Sequence, residues 1–204
     1  MNKEKYYISD FCLLRDQKVY KNGKQIYEDS TSENLKDLAK GIYNFLELKY
    51  PKFHKMDELC KLGFLASEIL LKDMGYVDQE TALVFSNKAS SLDTDRKHQK
   101  SIQDRSNFYP SPAVFVYTLP NIIMGEISIK NKLKSENAFF VTDTFNADFM
   151  TSYSEVLMQT GKASNVICGW VDLDNDKYDV FLAFLSKKGK KKLTKEELNN
   201  LYNQ

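Results

Sequence analysis

An α/β fold is predicted for this chain, because segments with strand composition alternate with segments of helical spacing. Residues 81–86 and 165–171 are apolar runs of strand length, whereas apolar residues between positions 35 and 46 recur every three or four positions. The chain has 204 residues, of which 42% are hydrophobic, and this is enough to bury one sizeable core. No linker rich in Gly, Ser or Pro divides the sequence, so a single domain over residues 1–204 is expected.

The N-terminal part is expected to start as a small β unit and to continue as two helices. Residues 6–13 have strand composition, and Asn22–Gly23 predicts a β-hairpin because both residues tolerate positive φ. One amphipathic helix is predicted over residues 32–50, where a proline ends it. A second is predicted over about residues 56–74, with Gly75 as its C-cap.

The middle of the chain is expected to contain one buried strand and two helices. The strand covers residues 81–86, and the polar segment 87–107 is predicted to be a surface loop with one short helix. Ser111–Pro112 is typical of a helix start, since serine can cap and proline is tolerated at the first helical position. The apolar residues of segment 122–133 predict a further helix.

The last third is predicted to form a β-α-β unit followed by an antiparallel strand. A strand is expected from Phe139, a helix from Phe145 to Gly161 and a strand over residues 165–171. Residues 178–185 are expected to return antiparallel to that strand. A basic tail from about residue 187 then leads into a short C-terminal helix with a capping-box spacing.

Composition and charge exclude several function classes. Basic and acidic residues nearly cancel to a net charge of +1, so the chain lacks the field of a dedicated nucleic-acid or membrane-surface binder. The charged start, Met1–Lys5, precedes no apolar stretch long enough for a signal peptide or a membrane span, which predicts a cytoplasmic location. Cys12, Cys60 and Cys168 are far apart, so they are expected to be reduced and buried, without a disulfide or a metal site.

Four short motifs then carry a resemblance. They are Phe53–Asp57, Ser111–Pro112, Thr118–Asn121 and Gly125–Ile127. With the order of the predicted elements, they make residues 52–185 similar to the N-terminal half of a β-ketoacyl synthase, or 3-oxoacyl-[acyl-carrier-protein] synthase, of the thiolase-like superfamily. The resemblance implies a thiolase-like half-fold, which is a mixed, mostly parallel five-stranded sheet flanked by helices. It implies no cofactor and no metal.

In that family, a strand ends at a sharp elbow that carries a cysteine, and a helix N-terminus behind it favours the thiolate. Counting without gaps from Gly161, Gly169 or Ser135 places the cysteine equivalent at Thr144, and a slip of two residues would place Asn146 there. An unactivated threonine is a far weaker nucleophile, and an amide cannot act as its base. The direct role expected for Thr144 is therefore a helix N-cap.

Other family features are also missing from this sequence. The family takes its catalytic histidines from its C-terminal half, and neither His54 nor His98 matches those positions, so both are expected to be solvated or capping residues. Ser135 and Trp170 stand where the family has glycines. The bulky Trp170 is expected either to be ordinary core or to fill space that a missing half or a partner would occupy.

The resemblance implies a non-catalytic, chain-length-factor-like protein that acts with a ketosynthase and an acyl carrier protein in bacterial type II fatty acid or polyketide synthesis. Whether the chain has enzymatic activity stays open. A sheet edge and apolar surface are expected to be left exposed where the second half is absent, which favours a dimer with a ketosynthase or with itself. The interface residues implied by the resemblance are Phe115, Thr118, Pro120, Asn121 and the strand residues Phe139–Asp143.

Two alternatives from other classes stay open. One is an acyl-thioester hydrolase or acyltransferase that uses Asp143 or Asp148 as a base, although helix N-termini often carry Asp for electrostatic reasons alone. The other is an acyl-chain binding module. The basic run of residues 187–192 could attract an acidic acyl carrier protein, but such runs are usually just solvated, and one short run does not indicate nucleic-acid binding.

Overall fold

One eight-stranded sheet runs through the computed structural model, which describes residues 5–204. Its strands are β1 (Tyr7–Arg15), β2 (Lys18–Lys21), β3 (Lys24–Glu28), β4 (Thr81–Asn87), β5 (Asn137–Val141), β6 (Asn165–Asp174), β7 (Lys177–Ser186) and β8 (Lys191–Lys192). The order across the sheet is β3-β2-β1-β7-β6-β4-β5, and β8 pairs with β1. The charged start, Met1–Glu4, lies outside the described residues, and the prediction of a cytoplasmic location that was based on it therefore lies outside them too.

The prediction of five mostly parallel strands was wrong. In the described chain, only the β4–β5 and β4–β6 pairings are parallel. The other five pairings are antiparallel, and in three of them, β1–β2, β2–β3 and β6–β7, a short turn joins the two strands. The predicted hairpin at Asn22–Gly23 is confirmed, since both residues have positive φ between β2 and β3.

Seven α-helices lie in the described chain. They are α1 (Leu35–Phe45), α2 (Glu58–Leu71), α3 (Leu92–Ile102), α4 (Pro112–Val116), α5 (Ile122–Asn131), α6 (Ala147–Gln159) and α7 (Lys195–Tyr202). Segment 87–107 is more ordered than the predicted loop, because α3 has 11 residues. The second predicted helix ends early, with its C-cap at Lys72 rather than Gly75. The end of α6 at Gly161 is confirmed, since Gly161 has φ of +71° and follows the C-cap Thr160.

Helices of the chain itself cover both faces of the sheet. Helices α1, α2 and α5 form one core with one face, in which Leu62, Phe64 and Leu182 are fully buried. Helices α6 and α7 form a second core with the other face, around Phe181 and Leu198. The exposed apolar surface expected from an absent second half is therefore not found on the sheet faces.

The C-terminal helix α7 closes the second face. The Thr194 hydroxyl accepts a hydrogen bond from the Glu197 amide at 3.1 Å, which confirms that half of the predicted capping box. The Glu197 carboxylate pairs with Lys191 on β8 instead of completing the box. The Tyr202 hydroxyl donates to Asp179 on β7 at 2.6 Å, so α7 is bound to the sheet by apolar and polar contacts.

Gly169 allows β6 and β7 to approach closely. A Cβ atom at this position would overlap the carbonyl oxygen of Phe181 on β7. The next residue, Trp170, is only 4% exposed and belongs to the second core, so it is ordinary core. Within residues 5–204, no helix has both the length and the apolar character needed to cross a bilayer.

Candidate functional site at the β5–α6 turn and helix α4

The turn between β5 and α6 contains both predicted nucleophile equivalents. It covers residues 142–146 and is irregular. The Thr142 amide donates to the carbonyl of Asn87 at the end of β4, at 2.9 Å, and the Thr142 hydroxyl donates to the carbonyl of Thr144 at 3.0 Å. The positive-φ residues of the described chain all lie outside this turn, so it lacks the strained backbone of a sharp elbow.

Asn146, not Thr144, caps helix α6. The side-chain oxygen of Asn146 accepts from the Phe149 amide at 2.9 Å. Thr144 is exposed and lies three positions before the first helical residue, so its predicted capping role was wrong. The physical reason lies in Phe145, whose buried ring packs against Tyr202 at 4.5 Å and thereby sets where the helix can start.

This difference gives a direct test of the cap. Asn146→Ala should lower the free energy of unfolding by about 1 kcal/mol, since it removes the only side-chain acceptor at the start of α6. Thr144→Ala is the matched control and should change stability by less than about 0.5 kcal/mol, because its side chain is exposed. Urea unfolding followed by circular dichroism measures both, and equal effects would contradict this assignment.

The chemistry available at the turn is limited. Thr144 is exposed and is separated from the first turn of α6, whose amides would favour a charged nucleophile. Asp143 and Asp148 are also exposed, and the Asp148 carboxylate lies 3.7 Å from Lys195. Neither carboxylate is desolvated in the way that usually tunes a general base, so the geometry does not favour the hydrolase alternative.

The three cysteines are free and buried, as predicted. Burial raises the pKa of Cys12 and of Cys168 to about 12. Cys60 lies in the first turn of α2, where a helix N-terminus favours a thiolate, but its burial still raises its pKa well above the ordinary value. All three thiols are therefore protonated at neutral pH and poor nucleophiles.

The two histidines pack against aromatic rings. His54 is exposed, as predicted, and contacts the rings of Tyr43 and Phe53. His98 on α3 is half-buried, and its ring lies 5.3 Å from that of Phe115. The His98 Nδ1 atom is buried without a hydrogen-bond partner in the part of the chain that the structure describes. Neither contact involves the β5–α6 turn.

Exposed apolar side chains concentrate around helix α4. We call this group the α4 surface, and its members are Phe108, Tyr109, Phe115, Val116 and Leu119. Phe115 is 61% exposed. The predicted interface residues Thr118 and Pro120 are half-buried beside this surface, and Asn121 is exposed. Exposed large apolar residues in such a concentration are typical of a binding surface.

Hydrogen bonds connect the α4 surface to the β5–α6 turn. The Ser91 hydroxyl donates to the carbonyl of Thr118 at 2.7 Å, and the neighbouring Ser90 amide donates to the side chain of Asn87 at 2.9 Å. The Asn87 carbonyl in turn accepts from Thr142. The sequence-predicted residues near α4 and at the turn are thus connected through the C-terminal end of β4.

Strand β5 forms an open edge at this place. It pairs only with β4 in the described sheet. Phe139 packs against one core and Phe140 against the other, while Val141 at the strand end is 58% exposed. An edge strand with free backbone groups can pair with a strand of another chain.

Sequence reasoning missed a buried polar cluster under α4. Glu126 on α5 is only 4% exposed, its carboxylate lies 2.8 Å from Lys52 Nζ, and it accepts a hydrogen bond from the Tyr117 hydroxyl at 3.2 Å. Burial and the Glu126 charge raise the pKa of Tyr117, and the hydrogen bond to Glu126 raises the pKa of Lys52. The signal in the sequence that could have indicated this cluster is Glu126, a charged residue in the otherwise apolar segment 122–127.

A second carboxylate, that of the half-buried Asp57, caps helix α2. It accepts from the Cys60 amide at 2.9 Å and from the Thr94 hydroxyl at 2.6 Å. Burial outweighs these bonds and raises its pKa. Among residues 5–204, no group of three or more His, Cys, Asp or Glu side chains is arranged to hold a metal ion.

The Asp57 pKa predicts a pH dependence. The folded state binds this proton more tightly than the unfolded state, so its contribution to stability is lost as the pH rises from about 4 through the raised pKa. Asp57→Asn removes this titration and keeps the oxygen that caps Cys60. Its stability relative to the wild type should therefore be higher at pH 7 than at pH 4 in urea unfolding. Asp176→Asn, on an exposed turn, is the control, and equal pH profiles for both variants would contradict the assignment.

Comparison with known proteins gives structural matches alone, since no family model and no curated protein matches the chain. The structure entitled "The ishigamide ketosynthase/chain length factor" matches with a TM-score of 0.63 and 16% identity, over 89% of this chain and 61% of that one. The chain has a ketosynthase-like fold. The predicted resemblance is thereby confirmed at the level of fold, and the chain spans about 61% of the length of that protein.

Two further matches share the ketosynthase-like fold. One is the ketosynthase ApeO in complex with its chain length factor ApeC from Xenorhabdus doucetiae, with a TM-score of 0.61 and 10% identity, over 98% of this chain and 90% of that one. The other is AntDE:AntF, a type II polyketide synthase acyl-carrier protein in complex with its ketosynthase, with a TM-score of 0.58 and 11% identity, over 90% and 62%. Structures of this fold therefore include both longer chains and one of similar length.

Proposed function

We propose that this protein is a non-catalytic, chain-length-factor-like subunit that pairs with a ketosynthase and serves acyl-carrier-protein-dependent fatty acid or polyketide synthesis. The observation that carries the proposal is a ketosynthase-like fold with an exposed threonine, Thr144, in the turn where the resemblance places the nucleophilic cysteine. The titles of the matched structures name a ketosynthase with its chain length factor and a ketosynthase with an acyl-carrier protein, which supports these partner classes.

The absence of a usable nucleophile supports the non-catalytic part of the proposal. The turn offers one exposed hydroxyl, at Thr144, and the amide of Asn146, which is occupied as a helix cap. The three thiols are buried and protonated. A thioester could not be attacked by any of these groups at a useful rate without an activating base.

The open β5 edge and the α4 surface support the pairing part. Hydrogen bonds connect the two through the segment after β4: Ser91 bonds to Thr118, Ser90 bonds to Asn87, and Asn87 bonds to Thr142 at the end of β5. A partner strand along β5 would satisfy its free backbone groups and bury Val141, while its neighbouring residues would cover Phe115. A stable protein interface buries roughly 800 Å² on each partner, which a strand edge with an adjacent apolar surface can supply.

Co-expression with a ketosynthase from the same genome tests the pairing. Size-exclusion chromatography with light scattering should show a complex of the two chains. Val141→Lys and Phe115→Lys should abolish it, because each places a charge in the proposed interface. Tyr76→Lys is the control, since Tyr76 is an exposed aromatic residue that precedes β4, at the opposite end of that strand.

The outcomes separate the alternatives. A wild-type monomer that stays unbound in the presence of the ketosynthase would contradict the proposal. A dimer of this chain alone would show that its partner is a second copy of itself and not a ketosynthase. The non-catalytic part is tested with acyl thioesters. The isolated chain should show no hydrolysis or transfer above background, and loss of a measurable rate in Asp143→Asn would instead establish the enzyme alternative.

A further inference from the structure

The cluster under α4 contains charged and hydroxyl groups, whereas the packing of the surrounding core needs only apolar side chains. Glu126 is almost fully buried, with Lys52 on one carboxylate oxygen and the Tyr117 hydroxyl on the other. The ion pair is buried only at Glu126, since the Lys52 side chain is 44% exposed, and a buried charge with its partner usually adds little stability over apolar residues of the same shape. The contacts of Glu126 with Lys52 and Tyr117, however, are directional and restrict how the segments that carry these residues can be arranged.

These contacts join three separate segments. Lys52 belongs to the 3-10 turn at residues 51–55, Tyr117 directly follows α4, and Glu126 lies on α5. The next residue, Thr118, is also held, because the Ser91 hydroxyl donates a hydrogen bond to its carbonyl. The backbone that presents the α4 surface is therefore held from beneath at two consecutive residues.

Helix α4 has few other contacts, which include the packing of Phe115 against His98 on α3 and the cap by Ser111. It has only five residues, which is too short for a helix to be stable by itself, and none of them is buried. The side chains of Phe115 and Val116 point outward and are exposed. The orientation of these side chains thus depends on the contact of Phe115 with His98 and on the polar contacts of the two residues that follow the helix.

We infer that Tyr117, Glu126 and Lys52 are positioning residues that hold the α4 surface in its binding geometry before a partner arrives. The inference rests on the proposed function, because it assigns to this cluster the preorganisation of the proposed interface. A surface held in its bound geometry loses less conformational freedom on binding, so the affinity is higher than for the same residues on a mobile segment.

Tyr117→Phe tests this inference, since it removes one hydroxyl and keeps the buried ring. Two measurements are needed, which are amide hydrogen exchange of residues 112–121 in the isolated protein and the affinity for the co-expressed ketosynthase. We expect faster exchange confined to that segment and about tenfold weaker binding. Tyr27→Phe is the matched control, because it removes a part-buried tyrosine–carboxylate hydrogen bond, to Asp29, at the β3 edge of the sheet, far from β5. It should leave both readouts unchanged.

A second pair of variants covers the case in which Tyr117→Phe does not fold. Glu126→Gln keeps an acceptor for Tyr117 and should retain most of the affinity, whereas Glu126→Leu removes it and should behave like Tyr117→Phe. Unchanged exchange and affinity in the Tyr117 and Glu126→Leu variants, with normal binding by the wild type, would overturn the inference and leave the proposed function in place. If the wild type binds no ketosynthase, the proposed function fails, and this inference fails with it.

Discussion

Gly169→Ala is expected to lower the free energy of unfolding by about 3 kcal/mol or more, which is among the largest effects that a single methyl group can have. The added Cβ would overlap the carbonyl oxygen of Phe181, which belongs to the backbone of the adjacent strand β7. Backbone in the middle of a sheet cannot move without loss of ladder hydrogen bonds. Guanidinium unfolding measures the change directly.

Gly125→Ala is the control for this effect. Gly125 lies within helix α5, and a Cβ there would meet no atom within 4 Å. Alanine should therefore stabilise the protein by roughly 0.5–1 kcal/mol, as expected from helix propensity. If both alanine variants changed stability by similar small amounts, the close approach of β6 and β7 would be contradicted.

Lys52→Met is expected to destabilise the protein by about 2 kcal/mol, because it leaves the Glu126 carboxylate, which is only 5% exposed, without its counter-charge; the 44% exposure of Lys52 keeps the cost below that of a fully buried pair. The double variant Lys52→Met with Glu126→Gln should recover most of this loss, since no buried charge then remains. Chemical unfolding at pH 7 of the two single variants and the double variant gives the coupling energy between the residues.

Lys97→Met is the matched control, because Lys97 Nζ lies 2.6 Å from Glu58 and both side chains are accessible to water. Removal of an exposed pair should cost less than about 1 kcal/mol. A cost for Lys52→Met as small as this would show that Glu126 is hydrated in the folded protein, and the positioning argument for Tyr117 would then lose its main support.

The sequence predicted the elements that have strong local signals. The hairpin at Asn22–Gly23, the strand Thr81–Asn87 and the end of α6 at Gly161 follow from φ tolerance, apolar runs and helix-capping chemistry, which are local properties. The number and direction of the strands did not follow, because strand pairing depends on contacts between distant segments. Strand β1, for instance, pairs with β7 more than 160 residues further along the chain.

The strand and the helix on either side of the β5–α6 turn were predicted, but the cap of the helix was not. The sequence assigned the cap to Thr144, whereas Asn146 caps α6. That choice depends on the burial of Phe145 against Tyr202, which comes from the far end of the sequence. The pairing of Lys52 with Glu126 is also non-local, so only the unusual charge on helix α5 could have indicated it.

The contact between Phe145 and Tyr202 has a practical consequence for handling the protein. The last helix supports the residue next to Thr144, and Arg15 and Asp179 hold its tyrosine in place. A purification tag or a proteolytic cut that loosens the final turn would therefore disturb the region around Thr144 before it disturbs the rest of the molecule. Binding assays are best made with an untouched C-terminus.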